Sequence, residues 1–282
     1  MVDVKKLIYM LDKASSEAEV RSALDTIIGY PILAPLIDIH PGSVMCRVRE
    51  VKAFDEIKRL PDDLSFRKDI ENITKYGRAN LPKESIFYAT YSHPYSPYHV
   101  HSIPDFELGS FMETLSCFNT PPEKLDKTSV VLAVSGLWRV KEKITLFSVV
   151  DPNGHFSRSE SFKSFVPDFP AYAADMEAKT SIPKSDIYLF SEFMSKAFKN
   201  NDDDMKKYWI TANLSHDILV TGKVDGLAYE SVKSIQEPKL KEVLCFAISP
   251  LSVLEKLEFI GYEKKVFSWD KNNNSILVKQ YI

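Results

Sequence analysis

Glycine is scarce in this chain, 9 of 282 residues, where a globular protein usually has about 7%. None of the nine falls in a G-x-G-x-x-G or G-x-x-x-x-G-K pattern, which excludes both glycine-rich phosphate cradles. Cysteine is sparse too. Cys46, Cys117 and Cys245 stand far apart with no Cys-x-x-Cys pair, which argues against a disulfide framework and for a reducing compartment. Positive charge is not in excess: 36 basic and 39 acidic residues leave a net charge of −3, so no whole-chain basic field would hold a nucleic-acid backbone. Long apolar runs are missing as well. Leu7 to Leu11 is stopped by Asp12 and Lys13, too short for a signal-peptide core, and Val130 to Val134 is too short to span a bilayer. The expectation is a cytoplasmic protein that partners neither nucleic acid nor membrane.

What is present is ordinary globular material, 44% hydrophobic and 27% charged, enough to bury a sizeable core. Val4, Leu7, Ile8 and Leu11 keep a 3.6-residue period, and Ser16-x-x-Glu19 reads as a capping box opening a second helix with Val20 and Leu24. Pro31, Pro35 and Pro41 then mark a connector. From Val44 the pattern turns to strand, with further strands at 86–91, 129–135 and 144–150. Asp151-Pro-Asn-Gly154 is a turn signal. Helices are expected over 105–118, 186–199 and 203–221, the last with Met205, Tyr208, Trp209, Ala212, His216 and Leu219 on one stripe. Strands follow at 226–232 and 243–249, and two more flank a hairpin turn at Asn272-Asn-Asn-Ser275. Strands and helices interleave without a βαβ rhythm, so the expected class is α+β in one compact unit. Its parts are a helical N-terminal extension over 1–43, a main domain over 44–249 and a C-terminal β extension over 250–282.

Several residues along this frame suit chemistry. Arg47 and Arg49 lie two apart in a strand and so share a face, about 6–7 Å from each other. Two guanidiniums so placed suit a diphosphate; the plain alternative is an exposed face with Glu50 and Glu56 as partners. Tyr76-Gly-Arg-Ala-Asn80 offers a turn in which Gly77 would take a positive φ, with Arg78 and Asn80 free to reach polar ligand atoms. Tyr88 in the next strand could present a flat face to a planar ring, or simply be core. On the helix from Asp105, the residues Leu108, Phe111, Met112 and Leu115 make the core stripe. Glu113 points away from it beside Gly109, Ser110 and Cys117, and Glu107 is expected to be a harmless neighbour. Ser231 ends a late strand with no Gly-x-Ser-x-Gly elbow around it, which favours hydrogen bonding over nucleophilic attack. His93, His99 and His101 cluster in a loop, without the helical spacing that would make a metal site specific.

In their order these pieces resemble the RES-domain family, named for an Arg, a Glu and a Ser. The matching stretches are Cys46-Arg47-Val48, Gly77-Arg78-Ala79-Asn80, Phe87-Tyr88-Ala89, Met112-Glu113-Thr114-Leu115 and Gly226-Leu-Ala-Tyr-Glu-Ser-Val-Lys233, all within 44–249. The resemblance implies an ADP-ribosyltransferase-like fold and a site for NAD as substrate, with no metal. It further implies cleavage of the nicotinamide–ribose bond by hydrolysis or phosphorolysis, and a toxin held by an antitoxin protein. The alternatives are a protein ADP-ribosyltransferase and a catalytically inactive NAD- or nucleotide-binding module. Carried over residue by residue, Glu113 would stabilise the sugar cation, Arg47 would hold the diphosphate, and Arg49 or Arg78 would assist. Tyr88 would stack on nicotinamide and Ser231 would orient its ribose, with Asn80 and Tyr229 completing the NAD-binding set. The segment 91–104 reads as an insertion beside the site, since Tyr88 and Glu113 are 113 − 88 = 25 positions apart.

Overall fold

The computed structural model describes residues 3–26, 34–92, 99–100, 103–116, 130–154, 168–199, 205–231, 243–270 and 275–281. Helices α1 (Val4–Lys13) and α2 (Glu17–Asp25) open the chain. Ser16 caps α2 by accepting the Glu19 N–H at 3.3 Å. The returning Glu19 carboxylate takes the Ser15 N–H at 2.7 Å, one residue earlier than a standard capping box. Strands β1 (Leu36–Ile39), β2 (Val44–Val51) and β3 (Phe87–Ser92) follow, then a small ribbon of β4 (His99–Val100) and β5 (Ile103–Pro104), and helix α3 (Asp105–Thr114). Next come β6 (Val130–Val140), β7 (Ile144–Val149), and the helices α4 (Phe169–Thr180), α5 (Lys184–Phe198) and α6 (Met205–Val220). The chain continues through β8 (Gly226–Glu230), β9 (Val243–Ile248), α7 (Pro250–Lys256), β10 (Leu257–Asp270) and β11 (Ser275–Tyr281).

Nine of these strands form one sheet in the order β1-β7-β8-β9-β3-β2-β6-β10-β11. Only β7 and β8 run parallel; the other neighbours are antiparallel. A parallel pair needs a crossover, and helices α4 to α6 lie within the one joining β7 to β8. Together with α1 and α2 they form a layer over Phe147, Val149, Leu227, Tyr229, Cys245 and Ala247. The opposite face carries Met45, Phe87, Trp138, Leu146, Leu244, Phe246 and Ile248. All six residues of β9 are therefore buried, as expected for a strand covered on both sides. The class is α+β.

Both chain ends join this body. Val4, Leu7, Leu11, Val20 and Leu24 enter the core shared with α5 and α6, while β10 pairs with β6 from Leu257 to Ser268. The 151–154 turn forms as expected, with the Gly154 N–H on the Asp151 carbonyl at 3.0 Å and the Asn153 N–H on the Asp151 carboxylate at 2.9 Å.

Four elements depart from the sequence reading. The segment taken as connector contains β1, an edge strand whose four residues pair with β7; the flanking prolines sit outside it, where an edge strand tolerates them. Helices α4 and α7 were not expected. Each carries Pro in its first turn, where the missing N–H has no helical partner to lose. The stripe expected on α6 is also shifted. Ile210, Leu214 and Ile218 face the core while Met205 is 48% exposed, because the surface α6 packs on is set by α2 and α5 around it rather than by its aromatic side chains.

Candidate active site

Glu113 is delivered by α3, which packs across β2, β3 and β9. Phe111 and Leu115 drive that packing, fully buried with Cys46, Val48, Ala133 and Phe267. The approach is close: a methyl group on Gly109 would stand 2.6 Å from Val243 Cγ1, so glycine is required there. With the helix so seated, Glu113 meets the end of β8. The Ser231 hydroxyl donates to Glu113 Oε1 at 2.6 Å, across 118 residues of sequence. Ser231 is 0% exposed, so its hydroxyl meets the carboxylate away from solvent.

Three further groups surround this pair. The Cys245 thiol, from β9, is buried on the helical face of the sheet. Burial pushes it well above the ordinary thiol range, and the Glu113 charge adds to that. Arg78 supplies the opposing charge. Burial works against its guanidinium, but Tyr229 and Glu113 outweigh that and hold it above its ordinary value. Arg78 Nη1 also donates to the Phe198 carbonyl at the end of α5, where the helix dipole favours a cation. Tyr229 is buried and packs against the Phe198 ring at 5.2 Å.

A second group of predicted residues gathers on the other side of Tyr88. The Tyr88 hydroxyl donates to Asn80 Oδ1 at 2.8 Å and accepts the Ala79 N–H at 2.9 Å. Gly77 closes this turn, with its N–H on the Asn80 carbonyl at 3.0 Å. The expected positive φ at Gly77 is not found; among the described residues the left-handed glycines are Gly42 and Gly222. Glycine is needed at 77 for space, since a Cβ would sit 2.1 Å from Asn80 Oδ1 and 2.7 Å from the Tyr88 hydroxyl. Gly77→Ala is therefore expected to cost about 1–3 kcal/mol, the usual price of overpacking. A thermal unfolding midpoint equal to that of the wild type would show that the turn relaxes freely.

Arg47, Gly77, Asn80 and Tyr88 line a cleft of about 310 Å³, together with Arg67 and Lys75. Arg47 donates from Nη1 to the Tyr88 carbonyl at 2.9 Å and lies 5.4 Å over the Phe87 ring. Burial pushes its guanidinium down to about 10, so it is still charged at neutral pH. Among the described residues no carboxylate forms an ion pair with it. A partly buried cation facing a cleft without a counter-ion suits an anionic ligand. Arg49 does not join it: exposed, it donates from Nη1 to the Asp63 carbonyl at 3.2 Å and stands outside the cleft lining.

Sequence reasoning missed the segment 67–75, which carries no motif but supplies Arg67, Asn72 and Lys75 to the cleft. It also misjudged Glu107. Far from being a harmless neighbour, Glu107 is 4% exposed and accepts from Ser135 Oγ at 2.7 Å. It also pairs with Lys265, itself 5% exposed. Its place in the first turn of α3 points it at β6 and β10, a direction helical periodicity alone does not reveal. His93, His101, Cys117 and most of 91–104 lie outside the described residues. Among the described ones there is no group of three His, Cys, Asp or Glu able to hold a metal ion, and no helix long and apolar enough to cross a membrane. The chain matches no protein-family model and no curated protein.

Proposed function

We propose that the protein cleaves the nicotinamide–ribose bond of NAD⁺, as its resemblance to RES-domain proteins implies, on a core of the ADP-ribosyltransferase kind. The observation that carries this reading is the Glu113–Ser231 contact. Two motif pieces 118 residues apart meet at 2.6 Å, with Arg78 from a third beside them. Nothing in core packing requires those polar residues to converge.

The chemistry suits the groups. Loss of nicotinamide leaves a sugar with oxocarbenium character. A carboxylate held beside C1′ stabilises that cation as it forms, which is the role assigned to Glu113. Ser231, buried and donating to the carboxylate, would fix its orientation, while Arg78 would supply a positive charge in the same site. Arg47 would take the diphosphate from the cleft. Water completes hydrolysis and inorganic phosphate completes phosphorolysis; an acceptor side chain would make the protein an ADP-ribosyltransferase. An antitoxin partner belongs to the same proposal.

Incubating purified protein with NAD⁺, with and without phosphate, tests this directly. Free nicotinamide is the expected product, and a rate that needs phosphate would mark phosphorolysis. A second reading has its own support, since the cleft is lined by Arg47 and not by Glu113. If no nicotinamide appears but NAD⁺ binds, the protein is a nucleotide-binding module. In either case Arg47→Ala is expected to weaken NAD⁺ binding by about 1.5–3 kcal/mol, the worth of a hydrogen bond to a charged group. Arg49→Ala, outside the cleft, should change it little. Titration calorimetry giving equal affinities for Arg47→Ala and wild type, with folding intact, would remove Arg47 from the site.

A further inference from the structure

Glu84 is the one carboxylate among the described residues that line the Arg47 cleft, and it does not neutralise that arginine. Its two oxygens are engaged elsewhere. Oε2 accepts the Leu81 N–H at 3.0 Å, and Oε1 meets His216 Nδ1, which comes from α6 across 132 residues of sequence. The backbone beneath is fixed as well. Leu81-Pro82-Lys83-Glu84 forms a turn closed by the Glu84 N–H on the Leu81 carbonyl at 3.1 Å, with Pro82 in the position that suits it in a type II turn. The next position, which favours glycine, holds Lys83 at φ 65°, a conformation that costs other residues about 1–2 kcal/mol. The Lys83 N–H on the Ile73 carbonyl at 2.7 Å and its ammonium on Glu71 at 2.8 Å hold it there. Ile73 itself lines the cleft, so the turn is tied to the cleft wall.

A cleft that keeps a cation and a carboxylate apart fits a ligand bearing both an anion and hydroxyl donors, the make-up of a nucleotide. We infer that Glu84 is the specificity-determining residue of the cleft. It accepts from the 2′- and 3′-hydroxyls of the adenosine ribose and so selects NAD⁺ over NADP⁺, which carries a phosphate at the 2′ position. The inference rests on the reading of the protein as one that binds NAD⁺. The adenosine ribose is the one in question because Glu113 and Ser231, assigned to the nicotinamide ribose, do not line the cleft. A carboxylate accepts about four hydrogen bonds, so the contacts to Leu81 and His216 leave room for a pair of hydroxyls. A 2′-phosphate would meet a fixed like charge instead. Arg67 and Lys75 also line the cleft and would favour a further phosphate, but both are exposed. Arg67 is already forked onto Asp69 at 3.2 and 3.0 Å, and a solvated lysine contributes little against a carboxylate held in place.

Titration calorimetry with NAD⁺ and NADP⁺ is the test. The wild type should bind NAD⁺ at least about tenfold more tightly, the order of one hydrogen bond to a charged group. NAD⁺ lacking the adenosine 2′-hydroxyl should bind the wild type about tenfold more weakly than NAD⁺ for the same reason, a measure that needs no variant. Glu84→Gln still offers the Leu81 N–H an acceptor oxygen but has no charge. NAD⁺ should bind it more weakly, with the two dinucleotides within about threefold of each other. That ratio is read within one protein, so lower stability of the variant does not mimic it. Equal affinities for NAD⁺ and NADP⁺ in the wild type, or an undiminished preference in Glu84→Gln, overturns the inference, and so does full affinity for the 2′-deoxy ligand. Nicotinamide release is scored separately. Release without discrimination removes only the role of Glu84; discrimination that Glu84→Gln abolishes, without release, upholds Glu84 and sinks the cleavage reaction. Binding of neither dinucleotide overturns both.

Discussion

Glu113→Gln is expected to cut nicotinamide release by on the order of 10²–10³-fold, about 2.7–4 kcal/mol, the usual effect of removing one preorganised electrostatic contact. Glutamine keeps the size of the side chain and still accepts from Ser231 Oγ, so the 2.6 Å contact can persist. What disappears is the charge. That charge matters most when the ribose becomes cationic, hence the loss should fall on kcat while NAD⁺ affinity changes little. Glu142, exposed in the turn between β6 and β7, is the appropriate control and should tolerate the same change. Glu107 cannot serve, because its carboxylate is buried against Lys265 and Ser135. Turnover by Glu113→Gln within a few-fold of wild type would refute the assignment.

Lys265→Met should destabilise the fold by about 3–5 kcal/mol, the cost of leaving one member of a buried ion pair alone. Lys265 is 5% exposed, sits 5.1 Å over the Phe111 ring, and pairs with Glu107 and, at 2.8 Å, with Glu263. Once it is gone, Glu107 keeps only the Ser135 hydroxyl among its described partners. Adding Glu107→Gln to Lys265→Met removes the stranded charge and should restore much of the loss, since replacing both partners is far less costly than removing one. Urea unfolding would measure each step. A drop below about 1 kcal/mol in Lys265→Met would mean that water reaches the pair. The same pair anchors the first turn of α3 to β6 and β10, six residues before Glu113, so its loss should also loosen the site.

Much of this was legible in the sequence because it depends on local periodicity. The strands at Val44–Val51 and Phe87–Ser92, the helix from Asp105 and the turn after Asp151 all follow from side-chain spacing or from residues with strong turn chemistry. The short strand Leu36–Ile39 was hidden by its prolines, and α4 and α7 by a Pro that reads as a breaker yet fits a first helical turn. At the candidate site, residue types and order were enough to nominate Arg47, Arg49, Arg78, Asn80, Tyr88, Glu113, Tyr229 and Ser231, of which Arg49 stands outside the cleft lining. Their partners were not available from the same source.

Sequence alone determined which residues are polar where a core would be apolar, and which lie on the same face of a strand or helix. Both are properties of neighbours within a few positions, governed by the periods of 2 and 3.6 residues. Only the tertiary structure decided that Arg49 turns to the Asp63 carbonyl while Arg47 stays at the cleft. It also decided that Gly77 is needed for room rather than for its φ, that Glu107 is buried, and that Ser231 meets Glu113. Each of these depends on how α3 and the helical layer settle on the sheet. That docking is fixed by close packing between segments distant in the chain, and no local pattern encodes it.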